Sequence, residues 1–351
     1  MAYAFPEMVR YNYINCTTCH VSVTGGGVLT PYGRSLSAEA LSSFGSENEA
    51  QILHGLFGTP GFSEALNLGG DVRDLQMYLE NSSIQQAQWI FMQAEIEGAL
   101  HIGKLTLDST FGRMVNSDQS NYLGSHQYYA LYNFTEEIGG RIGRFYAAYG
   151  LNMADHTLYV RQDLGFDQNQ ETQNLEASYI GDRINAYLSG IMSRGDIQVT
   201  QQETAVAGQF SYAILDRYKV GTSIWSGSSQ QMKRTMMGLH GILGFTKQLY
   251  FLSEIDFQWM TTLATSSENR GFYDFQRFGY EFLKGAHAYL QFQFEQSNLQ
   301  DSTSIKRAIG GGLLFYPRPH FEFSTEYDKS YVQATGSNLT DIIWLLLHYY
   351  L

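Results

Sequence analysis

The chain has 351 residues, of which 16% are charged, 44% hydrophobic and 15% aromatic, and its formal net charge is −12. An average soluble domain is roughly 25% charged, and no Lys/Arg cluster runs along this chain, so a nucleic-acid-binding face is excluded. No stretch approaches the ~18 successive apolar residues of a membrane helix; with a mean hydropathy of −0.24, only alternating strands would let it cross a bilayer.

Residues 1–68 read as a small, mostly irregular domain with short helices. Ala2-Tyr3-Ala4 has the small-residue character of the end of a cleavage site, without the charged and apolar regions of a leader. The chain is therefore expected to be an essentially processed form, or one with a misassigned start. Cys16 and Cys19 are its two cysteines, too few for a disulfide framework. They lie in Cys16-Thr17-Thr18-Cys19-His20, the attachment pattern of a c-type haem. Two thiols on one turn reach the two vinyl groups, and the adjacent histidine is held over the iron as proximal ligand. A thioredoxin-like motif would need a βαβ context, which is missing. A zinc site would need two further ligands from scattered histidines.

Around the motif, Tyr13 is a candidate for packing on the ring, with Phe5 and Tyr11. Gly25, Gly26 and Gly27 would allow close backbone approach to a porphyrin, and Arg34 is a candidate partner for a propionate. Two helical patterns follow. The first, Ser37 to Phe44, takes Ser37 as N-cap; the second, Ser46 to Leu56, takes Ser46, with Gly58 and Pro60 beyond its end. For the sixth iron position His54 is the leading candidate. Met8, Met77, His101 and His287 rank behind it, and a five-coordinate iron stays open.

From Gly69 onward the period is two. Ile90 to Ile102 sets Ile90, Met92, Ala94, Ile96, Gly98, Leu100 and Ile102 against Gln93, Glu95, Glu97 and His101. Ala286 to Glu295, Thr204 to Leu215 and Phe321 to Asp328 repeat the alternation, the mark of strands with one apolar and one polar face. About sixteen such segments (14–18) fall in residues 69–351, near the ~10-residue length of membrane-barrel strands. Polar gaps such as Asn116 to Ser125 and Asp163 to Gln173 alternate with very tight connections, and aromatic residues crowd strand ends. The final Asp341 to Leu351 is strongly apolar and aromatic. The fold expected is all-β: a transmembrane antiparallel β-barrel with a small N-terminal plug. A soluble sandwich or propeller is the rival, disfavoured because the polar strand faces hold carboxylates and glutamines that suit a wet lumen.

The run Asn15 to Arg34, followed by Gly69-Gly70-Asp71-Val72-Arg73, resembles a family of bacterial outer-membrane porins that carry one N-terminal c-type haem motif. About 25 residues are distinctive; the barrel resemblance is generic. The resemblance implies thioethers at Cys16 and Cys19, His20 as axial ligand and one covalent haem. It also implies a Gram-negative outer membrane with a periplasmic N-terminus, and an electron-transfer role. The Val21 to Val23 segment lacks the proline expected before the glycines, which bears on loop conformation and not on attachment.

The function expected is electron transfer at or across the outer membrane. The alternative is a channel, or a scaffold of a larger outer-membrane complex, with a structural or sensory haem. Expected partners are outer-membrane lipids, lipopolysaccharide and a periplasmic or surface redox protein. An enzyme is disfavoured because no nucleophile, carboxylate pair or metal motif stands beside the haem motif; a peroxidase-like activity would need an open iron site. Lumen carboxylates Glu95, Glu97, Glu295 and Glu322 are expected either to meet basic plug residues or to be hydrated.

Overall fold

The computed structural model describes residues 5–45, 65–115, 121–153, 155–167, 170–193, 198–333 and 339–351. Strands begin with β1 (Leu66–Glu80), β2 (Gln85–Ile102), β3 (Leu105–Val115), β4 (Asn121–Gly124), β5 (Tyr128–Asn133) and β6 (Ile138–Phe145). They continue with β7 (Thr172–Ile180), β8 (Ile184–Met192), β9 (Thr204–Leu215), β10 (Tyr218–Ser228), β11 (Met232–Gly244) and β12 (Leu249–Thr262). The last are β13 (Ser267–Leu283), β14 (Ala286–Gln296), β15 (Ile305–Phe315), β16 (Phe321–Val332) and β17 (Leu339–Tyr350). Each pairs antiparallel with its chain neighbour, save that β4 and β5 both pair with β3, and β1 pairs with β17 from Asp71↔Tyr350 to Glu80↔Asp341, which closes the sheet.

The short β4 is the extra piece in a sixteen-stranded barrel. It pairs with the distal half of β3, and β5 pairs with the proximal half. The interruption at Ser125 to Gln127 is held by Thr110, whose Oγ1 accepts from the N–H groups of His126 (3.1 Å) and Gln127 (3.0 Å). An even strand number leaves both chain ends at one rim, where the Leu351 N–H donates to the Gly70 carbonyl. Turns at this rim are short, down to two residues at 103–104, 216–217 and 284–285; the opposite rim carries the 26-residue connection 146–171.

The barrel has an apolar outside and a polar inside, set by the period of two. On β14 Leu290 is 70% exposed and Phe292 38%, while the intervening Gln291 and Gln293 are 3% and 1%. β9 and β16 follow the expected faces equally well: Val206, Phe210, Phe323 and Tyr327 point out, and Ser211, Glu326 and Asp328 point in. β2 departs from its expected face at one end. A register shift opposite Arg73 and Asp74 passes over Met92, and such a bulge reverses the pleat. Trp89 and Phe91 point outward there, in place of Ile90 and Met92.

Part of the lumen is filled by the chain itself. The connection 146–171 turns inward and buries Tyr149, Leu151, Met153, Leu158, Val160, Leu164 and Phe166 against Trp225, Met236, Tyr250, Leu252 and Phe275 of the wall. Its backbone is tied to wall side chains: Leu151 N–H donates to Glu254 (2.7 Å) and Gly150 N–H to Ser223 (3.0 Å). Lumen charges pair among themselves, as Arg141 with Glu176 at 2.8 Å and Arg234 with Glu203 at 2.7 Å, which offsets the cost of burying each alone. No helix among the described residues is long and apolar enough to cross a membrane.

Residues 5–45 occupy the lumen at the rim that holds the chain ends. They comprise a 3-10 turn Pro6–Tyr11, a second turn Cys16–Thr18, a bridge His20↔Leu29, a helix Pro31–Leu36 and a wider helical turn Ser37–Leu41. The helix starts at Pro31 and not at Ser37 as expected. Thr30 caps it, accepting from the Gly33 N–H at 3.0 Å, with Pro31 in the first position; a threonine cap followed by proline is the stronger start signal. Ser37 is thus internal, and its hydroxyl meets the Tyr350 hydroxyl (3.1 Å) and the His320 N–H (2.9 Å). The second expected helix, Ser46 to Leu56, lies outside the described residues.

Candidate functional site

The haem-motif residues stand on a tight turn that presents them to one side. The N–H groups of Cys19 (3.1 Å) and His20 (2.9 Å) both donate to the Cys16 carbonyl, so the chain curls through the pentapeptide. The thiols are unpaired and half-buried, and His20 is buried. Gly33 of the following helix lies directly on this turn: a Cβ there would stand 2.2 Å from the Cys19 carbonyl oxygen. Helix and motif are therefore one packed unit, and only glycine fits between them.

This unit is fastened to the wall by its backbone. Lys219 donates to the Ile14 carbonyl (2.9 Å), Asn15 to the Gly181 carbonyl (3.1 Å), and Tyr187 to the Val23 carbonyl (2.9 Å). Arg141 reaches Ser22 at 3.1 Å, and Asn67 reaches the Leu29 carbonyl at 3.3 Å. Below the motif Arg10 makes a short ion pair with Glu281 and donates to the Lys247 carbonyl at 2.6 Å. A basic plug residue does meet a lumen carboxylate, but the carboxylate is Glu281. Of the four expected, Glu295 pairs with Lys306 (3.0 Å), Glu322 with His348 (2.8 Å), Glu97 accepts from Gln127 (3.2 Å) and Glu95 from Gln93 (2.5 Å).

Between this segment and the wall lies a partly open cavity. Cys16, Cys19 and His20 all line it, with Met8, Val9, Tyr13, Ile14, Leu29, Leu36 and Leu41 of the same segment. The wall contributes Tyr187, Gln209, Lys219, His240, Ile242 and Tyr350, and the inward connection contributes Gly150, Leu151 and Asn152. A largely apolar cleft with a few polar groups is the usual form of a small-molecule or cofactor site.

The closed barrel of this size is shared with solved structures. An anion-selective porin from Comamonas acidovorans superposes with a TM-score of 0.64 at 10% identity, over 82% of this chain and 99% of that one. The outer membrane channel DcaP of Acinetobacter baumannii gives 0.60 at 11%, over 82% and 97%, and OmpT, an outer membrane protein of Vibrio cholerae, 0.62 at 8%, over 82% and 97%. The fold is that of an outer-membrane porin. No protein-family model matches the chain, and no curated protein is detectably similar in sequence.

Burial keeps His20 and Cys19 of the motif uncharged. Burial lowers the His20 pKa to about 4, against the opposing pull of backbone hydrogen bonds at Gly27 and Gly26 and the charge of Asp71. The imidazole is therefore neutral, as metal ligation requires, and its buried Nδ1 has no hydrogen-bond partner among the described residues. Burial, then the neighbouring Cys16, pushes the Cys19 thiol up to about 11. No group of three or more His, Cys, Asp or Glu at metal-binding spacing occurs among the described residues, so the zinc alternative finds no preformed site there. The cavity, its two thiols and the orphaned imidazole nitrogen fit a c-type haem.

The structure gathers some candidate residues and separates others. Tyr13 lines the cavity, with its hydroxyl 2.7 Å from that of Tyr32. Gly25, Gly26 and Gly27 adopt positive φ of 81°, 78° and 67°, but they face the barrel wall in place of the cavity. A Cβ on Gly27 would stand 2.6 Å from the Glu97 carboxylate. Arg34 lies behind the cavity and donates to the Leu68 carbonyl. His54 is outside the described residues. His101 is held by Thr106 (2.9 Å) and Asn67 (3.0 Å), and His287 sits among Tyr250 and Tyr316, both away from the cavity. The wall residues Lys219 and His240 are additions that the sequence reading missed. The signal was there: His240 alternates with Met236, Gly238 and Ile242 on the inward face of β11.

Proposed function

We propose that this chain is an outer-membrane barrel that carries one covalently attached c-type haem inside its lumen and serves as an electron carrier there. The observation that carries the reading is the convergence of Cys16, Cys19 and His20 on one cavity between the N-terminal segment and the wall. Cys16 and Cys19 would hold the porphyrin by thioethers and His20 would ligate the iron. The haem supplies a one-electron couple whose potential is set by its axial ligands and its burial. The apolar lining from Met8, Val9, Ile14 and Leu36 excludes water, and Lys219 offers a cation to a propionate on the wall side.

The outward apolar face is read as lipid-facing, and the rim with short turns and both chain ends as periplasmic, as in barrels of this kind. One haem does not span a hydrocarbon layer of ~30 Å, so a periplasmic or surface redox partner is part of the proposal. A channel or scaffold function is the second reading. It is favoured by the shared fold with porins and channels over 82% of the chain and opposed by the packed apolar cluster across the lumen.

The test is purified full-length protein from an outer-membrane fraction of a cytochrome c-maturing host. The expected results are an intact mass carrying one haem, a reversible change of the visible spectrum on reduction, and no sustained conductance in planar bilayers. A mass without haem overturns the cytochrome reading, and an open, ion-passing pore gives the channel reading precedence.

A further inference from the structure

The geometry points to His240 of β11 as the second axial ligand of the haem, facing His20 across the cavity. This rests on the electron-carrier reading above. Among the described residues, His20 and His240 are the two histidines that line the cavity, and they are brought to it by different parts of the chain.

His20 belongs to the β1 side. It bridges Leu29, whose carbonyl accepts from Asn67 of β1, and Asp71 of the same strand acts on its ring. His240 belongs to β11. Counting β4 and β5 as one strand, β11 lies seven strands from β1 in one direction and nine in the other, close to diametrically opposite in a barrel of sixteen. The thiols stand toward the His240 side, since Lys219, which ties down Ile14 just before Cys16, lies on β10 beside β11.

His240 carries one of several buried histidine ring nitrogens without a hydrogen-bond partner among the described residues, and it is the one that shares the cavity with His20. It is 8% exposed, and its Nδ1 is buried with no hydrogen-bond partner among the described residues. Buried polar atoms are normally satisfied, and an orphan calls for an explanation such as a missing ion or ligand. Its cross-strand partner is Gly221, and a Cβ there would stand 2.3 Å from the His240 Nε2. The absence of a side chain at Gly221 is what gives the ring room at the wall. The other described histidines do not line the cavity: His101 is held by Thr106 and Asn67, His126 meets the Arg113 carbonyl and Glu171, His156 meets Asp167 and His348 meets Glu322, while His287 stands by Glu281 and Tyr250 and His320 by Tyr350. Met8 also lines the cavity, but it precedes the motif by eight residues on the same segment, whereas His240 approaches from the far wall.

The test uses the purified holoprotein, with mass, ferric absorption and electron paramagnetic resonance, and carbon monoxide binding to the reduced form. The wild type is expected to be low-spin with two imidazole ligands and slow to bind carbon monoxide. His240→Gly should keep the covalent haem, lose the low-spin signal and bind carbon monoxide readily, with added imidazole restoring the low-spin spectrum. His240→Met should stay low-spin and shift the potential upward, as methionine ligation does, and Met8→Leu should leave the spectrum unchanged. A wild type that carries haem but is high-spin, or a low-spin signal lost in Met8→Leu and kept in His240→Gly, overturns this assignment and leaves the electron-carrier reading standing. A wild type without covalent haem overturns both.

Discussion

Along β14 burial alternates residue by residue, whereas along the N-terminal segment Glu7, Met8, Val9 and Arg10 are buried in succession, and so are Gly25 to Leu29. In the wall, neighbouring side chains face opposite sides of a sheet, so each residue type declares its environment. In the segment, the environment is supplied by a surface that surrounds the chain on all sides, and local pattern carries little of it. The difference teaches that the wall is a self-consistent structure and the segment a dependent one. It holds its shape through Arg10, Ser22, Val23 and Leu29, each tied to a different strand.

That contrast can be broken most forcefully at Arg10. Arg10 and Glu281 are 1% and 4% exposed, and removing one partner of a buried pair costs ~3–5 kcal/mol. Arg10→Ala should release the N-terminal segment to proteolysis while circular dichroism still shows an intact barrel. Loss of both together would mean that wall and segment fold as one unit. The converse change is Leu239→Lys, on the outward face of β11 at 63% exposure. A lysine on a lipid face costs up to ~2–4 kcal/mol, so barrel folding into vesicles, followed by gel mobility and urea titration, should suffer while residues 5–41 keep their contacts in whatever fraction folds.

A smaller effect is expected from Gly27→Ala. At φ +67° with a Cβ 2.6 Å from Glu97, the substitution combines backbone strain of ~1–3 kcal/mol with a steric clash. The expected readout is faster proteolysis within residues 20–30 with little change in unfolding of the barrel. The subtlest test is Glu7, whose carboxyl is raised above its usual 4.5 chiefly by burial, against the lowering pull of a backbone hydrogen bond and then of Arg10 and Arg277. A carboxyl with a raised folded pKa contributes stability below 4.5 and loses it as pH rises through the folded value. Protection of the segment should therefore weaken with rising pH in the wild type and stay flat in Glu7→Gln; a flat wild-type profile would show that the hydrogen bond and nearby arginines offset burial at Glu7.

The alternation of Leu290 and Phe292 with Gln291 and Gln293 was enough to place β14, and Asp341 to Leu351 marked the closing strand. The bulge at Met92 was hidden because a pleat reversal leaves no mark in residue type. The inward connection 146–171 was also hidden, because Leu151, Leu158 and Phe166 are apolar without period and read as a loop until the wall they pack on is present.

For the site, the pentapeptide by itself fixed which atoms could bond a haem, since Cys16, Cys19 and His20 are neighbours whatever the rest of the chain does. Where those atoms point, and what stands across from them, was settled by barrel closure. Lys219 and His240 are some two hundred residues away along the chain and reach the cavity only because β1 pairs with β17. Local chemistry is written in adjacent residues; a residue contributed by the opposite wall meets them only after the sheet has closed on itself.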